Sequence, residues 1–234
     1  MITPRFSNSR EEGERTMART ALIIGATGLV GRHLLESLLQ SESYKKIVSL
    51  TRRPLDIEAE KLEQHIIDFE RLDHYHDLFN VDTVFCALGT TMKKAKTKKQ
   101  FVKVDFDYSF QVAKLAKQKD VRQFFIVTAM GANQHSPFFY NRVKGNIEAA
   151  IRDLNFPILY IIRPSLLIGD RNEQRLGEDI GQALSKALPI LFKGPLNKYK
   201  PNRAVDVAKA SYNYSLKGEL GTFIVDSRLI EANK

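Results

Sequence analysis

The sequence predicts an α/β protein, with a doubly wound, mainly parallel sheet of about seven strands and helices on both faces. From residue 20 onward, short apolar runs alternate with longer amphipathic segments, which is the pattern of βα units. The first apolar run passes directly into a glycine-rich turn and then into a leucine-rich amphipathic segment. A strand, a glycine turn and a helix in that order open many sheets of this class.

Each predicted strand is a short apolar run bounded by glycine, proline, charged or turn residues. The runs are Ala21–Ile24, Ile47–Thr51, His65–Ile67, Thr83–Ala87, Gln123–Thr128, Ile158–Ile162 and Thr222–Val225. Valine, isoleucine and leucine follow one another in them with little alternation, so we expect burial on both faces of the sheet.

Helical periodicity fills the gaps between the strands. One apolar face after the first strand consists of Val30, Leu34, Leu35 and Leu38, and a second consists of Val112, Leu115 and Ala116. Later helices are predicted at Tyr140–Leu154, Glu178–Leu188 and Ala204–Leu216. The crossovers are long enough for right-handed helical connections.

Length and composition bound the class of protein. The 234 residues are 43% hydrophobic and 27% charged, which is typical of a soluble globular chain and excludes disordered and collagen-like classes. The longest apolar stretch, 156–169, is interrupted by Arg163 and is shorter than the ~18 residues of a membrane span. Because Cys86 is the lone cysteine and the first residues lack an apolar signal core, we expect a reducing, cytoplasmic setting.

The domain prediction separates a short extension from one domain. Residues 1–18 are predicted to be a flexible N-terminal extension because the start is polar and lacks periodicity. Met17 is an alternative start of the chain. Residues 19–234 are predicted to form a single Rossmann-like domain, in which the short segment 163–202 covers a small substrate.

The glycine turn has the spacing G-x-x-G-x-x-G, one residue wider at its first interval than the commonest dinucleotide fingerprint. Gly25 permits the tight turn, Gly28 lets the backbone approach a pyrophosphate, and Gly31 lets the helix pack closely on the strand. The helix N-terminus offers free N–H groups to the phosphates. The candidate phosphate-binding residues are Gly25, Thr27, Gly28, Leu29, Val30 and Gly31.

The end of the second strand favours NADP over NAD. Arg52 and Arg53 stand where an Asp or Glu normally holds the adenosine ribose, and two guanidiniums suit a 2′-phosphate. The alternative is a pair of solvated loop arginines. Asp68, after the third strand, is a candidate for contact with the adenine amino group.

Tyr140 and Lys144 match the Tyr-x-x-x-Lys pair of the short-chain dehydrogenase/reductase superfamily, and their spacing places them on one face of a predicted helix. There the ammonium can favour tyrosinate and reach a ribose hydroxyl. Other motifs make residues 20–225 resemble an atypical subgroup, the Tat-interacting-protein oxidoreductases, which bind NADPH. These motifs are Phe85-Cys86-Ala87-Leu88-Gly89-Thr90-Thr91, Val104-Asp105, Gly131-Ala132, Phe139-Tyr140 with Lys144-Gly145, Arg163-Pro164 with Asp170-Arg171, and Leu176-Gly177-Glu178.

The resemblance implies roles for two loops that follow strands. Leu88, Gly89 and Thr90 would line the cofactor near the nicotinamide ribose. Arg163, Pro164 and Ser165 would lie beside the nicotinamide ring. The residues agree with these roles, because ligands of open parallel sheets bind beyond the carboxyl ends of the strands. Pro164 has a second interpretation, as a residue that ends its strand.

One position departs from the family. A serine pair is usual at the end of the fifth strand, where this chain has Thr128 and Ala129. Thr128 retains a hydroxyl that can orient a carbonyl, whereas Ala129 can donate nothing. Reduced or absent turnover is therefore an open alternative.

The charge excess of 36 basic over 27 acidic residues gives a net charge of +9, which favours anionic ligands. Part of it is local, in Lys93, Lys94, Lys96, Lys98 and Lys99, which we interpret as a solvated loop, with substrate steering or a lid as the alternative. A nucleic-acid surface is disfavoured because aromatic residues do not interleave the lysines. The histidines lack ligand partners at metal-binding spacing, so we predict no metal site.

The leading hypothesis is an NADPH-dependent oxidoreductase acting on a small carbonyl or alcohol. Tyr140 would donate the proton, Lys144 would be its electrostatic partner, and Thr128 would orient the carbonyl. The rival is a non-catalytic NADPH-binding module that controls association with a protein partner. A nucleic-acid binder, resting on charge alone, is the third hypothesis. Substrate identity and oligomeric state do not follow from the sequence.

Overall fold

The computed structural model describes residues 18–168 and 201–234. Their strands are β1 (Arg19–Ile24), β2 (Tyr44–Thr51), β3 (Leu62–Ile66), β4 (Thr83–Cys86), β5 (Gln123–Val127), β6 (Ile158–Arg163), β7 (Leu167–Ile168), β8 (Asn202–Arg203) and β9 (Gly221–Asp226). Their helices are α1 (Leu29–Gln40), α2 (Met92–Ala95), α3 (Lys98–Val102), α4 (Ser109–Gln118), α5 (Phe139–Arg152), α6 (Ala204–Lys217) and α7 (Ser227–Ala232). A 3-10 segment spans Phe69–Phe79, and a π-helical turn spans Lys103–Tyr108.

The main sheet contains seven parallel strands in the order β3-β2-β1-β4-β5-β6-β9. The order reverses between β1 and β4, so the ends of these two strands form the switch point at which such sheets bind ligands. The predicted fold class is confirmed. Strands β7 and β8 form a separate parallel pair that joins the two described ends of the segment 163–202.

Alternate residues of the central strands enter two different hydrophobic clusters. On one face, Leu22 and Ile24 pack with α4, α5 and the 3-10 segment. On the other face, Ala21 and Ile23 pack with α1, α6 and α7. All four are 0% exposed, which is why the strand shows a continuous apolar run instead of alternation.

Five aromatic rings lie side by side across the second of these faces. Four of them lie on the adjacent strands β4, β5, β6 and β9, namely Phe85, Phe125, Tyr160 and Phe223. The centroids of neighbouring rings in this row are 4.7 to 4.8 Å apart. Tyr44 of β2 meets Phe85 edge-on at 6.3 Å. This row of rings ties five of the seven strands together through side-chain packing.

The predicted strands are found, with shifted ends. Strand β3 begins three residues before the predicted His65 because its Glu63 and Gln64 are half-buried at the sheet edge and hide the apolar signal. Ala87 and Thr128, placed at predicted strand ends, follow β4 and β5 instead. The predicted helix Glu178–Leu188 and residues 1–17 lie outside the described residues.

The lysine-rich stretch is helical, so the prediction of a loop there is wrong. Thr91 and Thr97 accept hydrogen bonds from the amides of Lys94 (3.2 Å) and Gln100 (3.1 Å), and these caps start the short helices α2 and α3. The two helices bury Ala95 and Phe101 against α5, while the five lysines of the stretch stay exposed.

Two buried tyrosines of the aromatic row allow a matched test of hydroxyl satisfaction. The Tyr160 hydroxyl has no partner among the described residues, and burial raises the pKa of Tyr160 to about 12. The Tyr44 hydroxyl donates to Thr83 Oγ1 at 3.3 Å. We expect Tyr160→Phe to leave the free energy of unfolding unchanged or higher, and Tyr44→Phe to lower it by about 1 kcal/mol. Urea denaturation measures both, and an equal loss in the two variants would contradict the assignment.

Candidate functional site

The glycine turn after β1 leaves no room for side chains at two positions. Gly25 has φ +90°, and a Cβ there would lie 2.5 Å from the carbonyl oxygen of Ala87. A Cβ on Gly31 would lie 2.1 Å from the carbonyl oxygen of Gly25. The turn therefore packs in contact with the end of β4 and with the first turn of α1, which fixes the three elements together.

The N-terminus of α1 is open to an anion. Gly28 is its N-cap, no side chain among the described residues caps it, and its first turn, which begins with Leu29 and Val30, carries no acidic residue. The amide of Gly28 itself is used in the turn, where it donates to Gly25 O at 2.9 Å. The following amides and the positive end of the helix dipole face the end of the sheet.

A cleft runs over this turn at the carboxyl ends of β1, β2 and β4. Six of its lining residues are among the predicted cofactor contacts, namely Gly25, Thr27, Gly28, Arg52, Leu88 and Gly89. Six others are not predicted, namely Leu50, Thr51, Phe69, Ala87, Val104 and Tyr108. Arg52 and Arg53 are both exposed, and of the two only Arg52 is among the residues that line the cleft.

Thr51 gives independent reason to expect a polar ligand in this cleft. It ends β2 beside Arg52 and is 4% exposed, and its hydroxyl has no hydrogen-bond partner among the described residues. A buried, unsatisfied hydroxyl is costly unless a ligand or water completes it. The open helix terminus, the excluded Cβ positions and this hydroxyl fit a bound dinucleotide.

Asp68 is engaged within its own segment. Its carboxylate accepts a hydrogen bond from the amide of Glu70 at 2.9 Å and so caps the 3-10 segment. Asp68, the predicted adenine contact, is not among the residues that line the cleft, whereas the neighbouring Phe69 is. The Phe69 ring packs at 5.4 Å from the ring of Tyr108, so two aromatic side chains flank this end of the cleft.

Lys144 meets a carboxylate that the sequence did not assign a role. Its Nζ lies 2.7 Å from Asp105 Oδ1, and the two side chains are 6% and 0% exposed. Burial lowers the pKa of Lys144, but the Asp105 charge and the nearby Tyr140 oppose it, and the pKa is raised overall. The predicted Gly89–Thr90 loop adjoins the pair, since a Cβ on Gly89 would lie 3.9 Å from Nζ.

Tyr140 stands in the first turn of α5, and its side chain reaches solvent. It is 39% exposed, and its ring packs at 5.6 Å from Phe101 of α3. The four-residue spacing places Tyr140 and Lys144 on one face of α5. On that face the tyrosine lies at the surface and the lysine is buried.

Thr128 faces a buried ion pair. Its hydroxyl donates to Glu148 Oε1 at 2.7 Å, and Glu148 forms a two-pronged ion pair with the guanidinium of Arg163, with Nε–Oε1 at 2.9 Å. Glu148 raises the pKa of Arg163. Arg163 thus contacts the carboxylate of α5, and the Thr128 hydroxyl hydrogen is already used. Glu148 is not among the residues predicted from the sequence, although an acid at helical spacing from Lys144 was an available signal.

The residues after β6 are held by β8. The amide of Ser165 donates to Asn202 Oδ1 at 3.0 Å, and the carbonyl of Pro164 accepts from the amide of Met130 at 2.8 Å. These bonds join the loops that follow β5 and β6 at the same edge of the sheet as Thr128.

The comparisons give a family and several relatives. A family model described as NAD(P)H-binding matches residues 25–168. Protein HTATIP2 of Rattus norvegicus is 38% identical over 175 residues, 73% of this chain and 72% of that protein. Protein FMP52, mitochondrial, of Candida albicans is 32% identical over 206 residues, 85% of this chain and 89% of that protein.

Solved structures show the same fold at low identity. A UDP-glucuronic acid 4-epimerase from Bacillus cereus in complex with NAD has a TM-score of 0.65 at 15% identity, covering 89% of this chain and 78% of that chain. The Bordetella bronchiseptica enzyme WbmG in complex with NAD has a TM-score of 0.66 at 16% identity, covering 91% and 74%.

The prediction of a cytoplasmic location is wrong on these comparisons, because the FMP52 relatives of several yeasts are named mitochondrial proteins. The physical reason is that a single cysteine indicates only a setting without structural disulfides, which does not identify one compartment. Among the described residues, no helix combines the length and apolar character needed to cross a membrane.

Removing the Glu148 carboxylate should destabilise the protein strongly. Glu148→Ala leaves the Arg163 guanidinium without its carboxylate and leaves the Thr128 hydroxyl with only the Ile162 carbonyl, at 3.3 Å, among the described residues. Arg163 is 25% exposed, and water can partly replace the lost carboxylate, so we expect a loss of about 2 to 4 kcal/mol in the free energy of unfolding. Glu36→Ala, at an exposed carboxylate, is the control and should change it by less than about 0.5 kcal/mol. Equal urea midpoints for the two variants would refute the structural importance of the buried pair.

Proposed function

Since the chain belongs to the NAD(P)H-binding family and is a relative of Protein HTATIP2, we propose that it is an NADPH-dependent oxidoreductase acting on a small carbonyl or alcohol substrate. The observation that carries the proposal is the placement of Tyr140 at the surface and Lys144 beside the Gly89–Thr90 loop. When bound, the nicotinamide cofactor supplies or accepts the hydride.

Each part of the cofactor is assigned to a different element that borders the cleft. We assign the phosphates to the amides at the start of α1, where no acid opposes them. We assign the 2′-phosphate to Arg52, which lines the cleft, with Thr51 as the neighbouring hydroxyl donor. Arg53 is exposed outside the lining and is assigned the weaker contact. We assign Lys144 to the ribose of the nicotinamide, and its position at the Gly89–Thr90 loop supports that assignment.

Tyr140 is the proposed proton donor. Its exposed phenol can give the Oη proton to a carbonyl oxygen during reduction and take it back during oxidation. The buried ammonium of Lys144 is its electrostatic neighbour on α5. Lys98 Nζ of α3 lies 5.4 Å from the centroid of the Phe139 ring at the start of α5. This lysine and the other exposed lysines of the same stretch support a substrate that carries negative charge.

One observation favours a second function. The Thr128 hydroxyl donates to Glu148, and Ala129 has no hydroxyl, so these two positions after β5 present no free hydroxyl donor to a carbonyl in this arrangement. A non-catalytic NADPH-binding module that regulates association with a protein partner fits that observation. The two functions share the cofactor cleft and differ in whether Tyr140 transfers a proton.

Cofactor preference tests the cleft assignment. We expect NADPH to bind at least about tenfold more tightly than NADH, and Arg52→Ala to remove most of that preference while leaving NADH affinity unchanged. Arg53→Ala should have a smaller effect. Fluorescence titration of each nucleotide gives the dissociation constants, and Arg122→Ala, at the opposite end of the sheet from the cleft, is the matched control. Equal affinities of the parent protein for NADPH and NADH would remove the assignment.

Turnover tests the catalytic assignment. Carbonyl compounds with and without a carboxylate or phosphate are first screened by NADPH oxidation. Tyr140→Phe keeps the ring but removes the transferable proton, so we expect kcat to fall about 10²-fold or more while NADPH affinity stays within about threefold. Tyr212→Phe, on α6, is the control and should retain the parent rate. A parent rate in Tyr140→Phe, or no turnover of any compound alongside tight NADPH binding, would favour the regulatory module.

A further inference from the structure

The π-helical turn Lys103–Tyr108 buries a charged residue, Asp105, more deeply than its apolar neighbours. Asp105 is 1% exposed, whereas the apolar Val104 and Phe106 on either side of it are only half-buried. Burying a carboxylate is costly unless it is paired and hydrogen-bonded. Short π-helical turns inside helices are rare and often lie at functional sites. The placement of Asp105 therefore requires an explanation.

The two oxygens of Asp105 contact two different parts of the proposed cofactor site. Oδ1 lies 2.7 Å from Lys144 Nζ on α5. Oδ2 accepts a hydrogen bond of 2.9 Å from the amide of Thr90, in the loop after β4. One carboxylate thus links the lysine to the Gly89–Thr90 loop.

The charge of Asp105 is also what makes a buried ammonium tolerable. The ionisable groups that face Lys144 are Asp105 from the π-helical turn, Tyr140 from its own helix and Cys86 from β4. Burial acts to lower the pKa of Lys144, and the Asp105 carboxylate is the largest influence that opposes it. The thiol of Cys86 is fully buried, and its pKa is raised by that burial, which leaves Asp105 as the negative charge of this group.

We propose that Asp105 is a positioning residue for the cofactor site, which keeps the Lys144 ammonium charged and fixed against the Gly89–Thr90 loop before the nucleotide binds. The inference deepens the proposed function and rests on it. Asp105 does not touch the reacting atoms; it acts through Lys144 and through the Thr90 amide. A purely structural ion pair would join the same elements but would not tie cofactor affinity to the proton on Lys144.

Asp105→Asn separates these possibilities, because the amide keeps the size and can still accept the Thr90 hydrogen bond while the charge is removed. Burial of Lys144 then lacks its largest opposing influence, and we expect the pKa of Lys144 to fall below its ordinary value. We expect NADPH affinity to drop about tenfold at pH 7 and about tenfold further by pH 10, as the lysine loses its proton. Asp107→Asn, an exposed acid of the same turn, should match the parent at both pH values.

The stability of ligand-free Asp105→Asn should rise with pH, whereas its NADPH affinity should fall. In the parent, the pKa of Lys144 is raised by folding. The stabilisation that its charge contributes is therefore complete at pH values below the ordinary lysine pKa and is lost only as the pH rises above that pKa. In Asp105→Asn, the lowered pKa means that the variant is least stable at low pH and gains stability as pH rises. At pH 7 we expect the folding equilibrium constant of Asp105→Asn to be smaller than that of the parent, and we expect the ratio between the two constants to shrink at least about tenfold by pH 10. The double variant Asp105→Asn with Lys144→Met should show no such narrowing.

The outcomes separate the inference from the function on which it rests. Parent-like NADPH affinity in Asp105→Asn at both pH values, or a loss that is equal at both, would overturn the positioning role. A parent protein that does not bind NADPH would overturn the proposed function, while the stability measurements still decide whether Asp105 maintains the charge of Lys144. If Asp105→Asn does not fold, Asp105→Glu keeps the charge but moves it. That variant should bind NADPH more weakly without pH dependence, and unchanged affinity would refute the role.

Discussion

Helix α5 buries two opposite charges one turn apart, Lys144 and Glu148, and much of the site is arranged around their partners. A buried charge is tolerated only with a counter-charge and hydrogen bonds, so each dictates what must face it. Lys144 fixes the π-helical turn through Asp105, and Glu148 fixes the ends of β5 and β6 through Thr128 and Arg163. The loops at one edge of the sheet are therefore tied to a single helix.

The glycine turn is the second constraint on the site, and it acts through close backbone packing instead of through charge. Because neither Gly25 nor Gly31 has room for a Cβ, α1 starts directly over the end of β1 and beside the end of β4. That close approach leaves the helix N-terminus open at the sheet edge, and Thr51 and Arg52 line the same cleft. The backbone and the buried charges thus bring the proposed phosphate site and the Tyr140–Lys144 pair to one edge of the sheet.

The family match and the geometry support different levels of description. Membership of the NAD(P)H-binding family gives the class of ligand, and the structural neighbours, at 15 to 16% identity, give the fold alone. The proposed preference for a 2′-phosphate rests on Arg52 and Thr51, and the proposed catalysis rests on Tyr140 and on the hydroxyl of Thr128. The engagement of Thr128 with Glu148 is the feature of this chain that bears most directly on whether it turns over a substrate.

Local pattern in the sequence determined the fold class, the strand positions, the glycine turn and the Tyr-x-x-x-Lys pair, and the fold and the family resemblance are confirmed. These features are encoded by neighbouring residues, through apolar runs, spacing and glycine. The tertiary structure alone decided that Asp105 partners Lys144, that Arg163 turns to Glu148, and that Arg52 but not Arg53 lines the cleft. Pairings of that kind join residues distant in the chain, and they are set by which charges the packed layers bury together, a property that no local pattern carries.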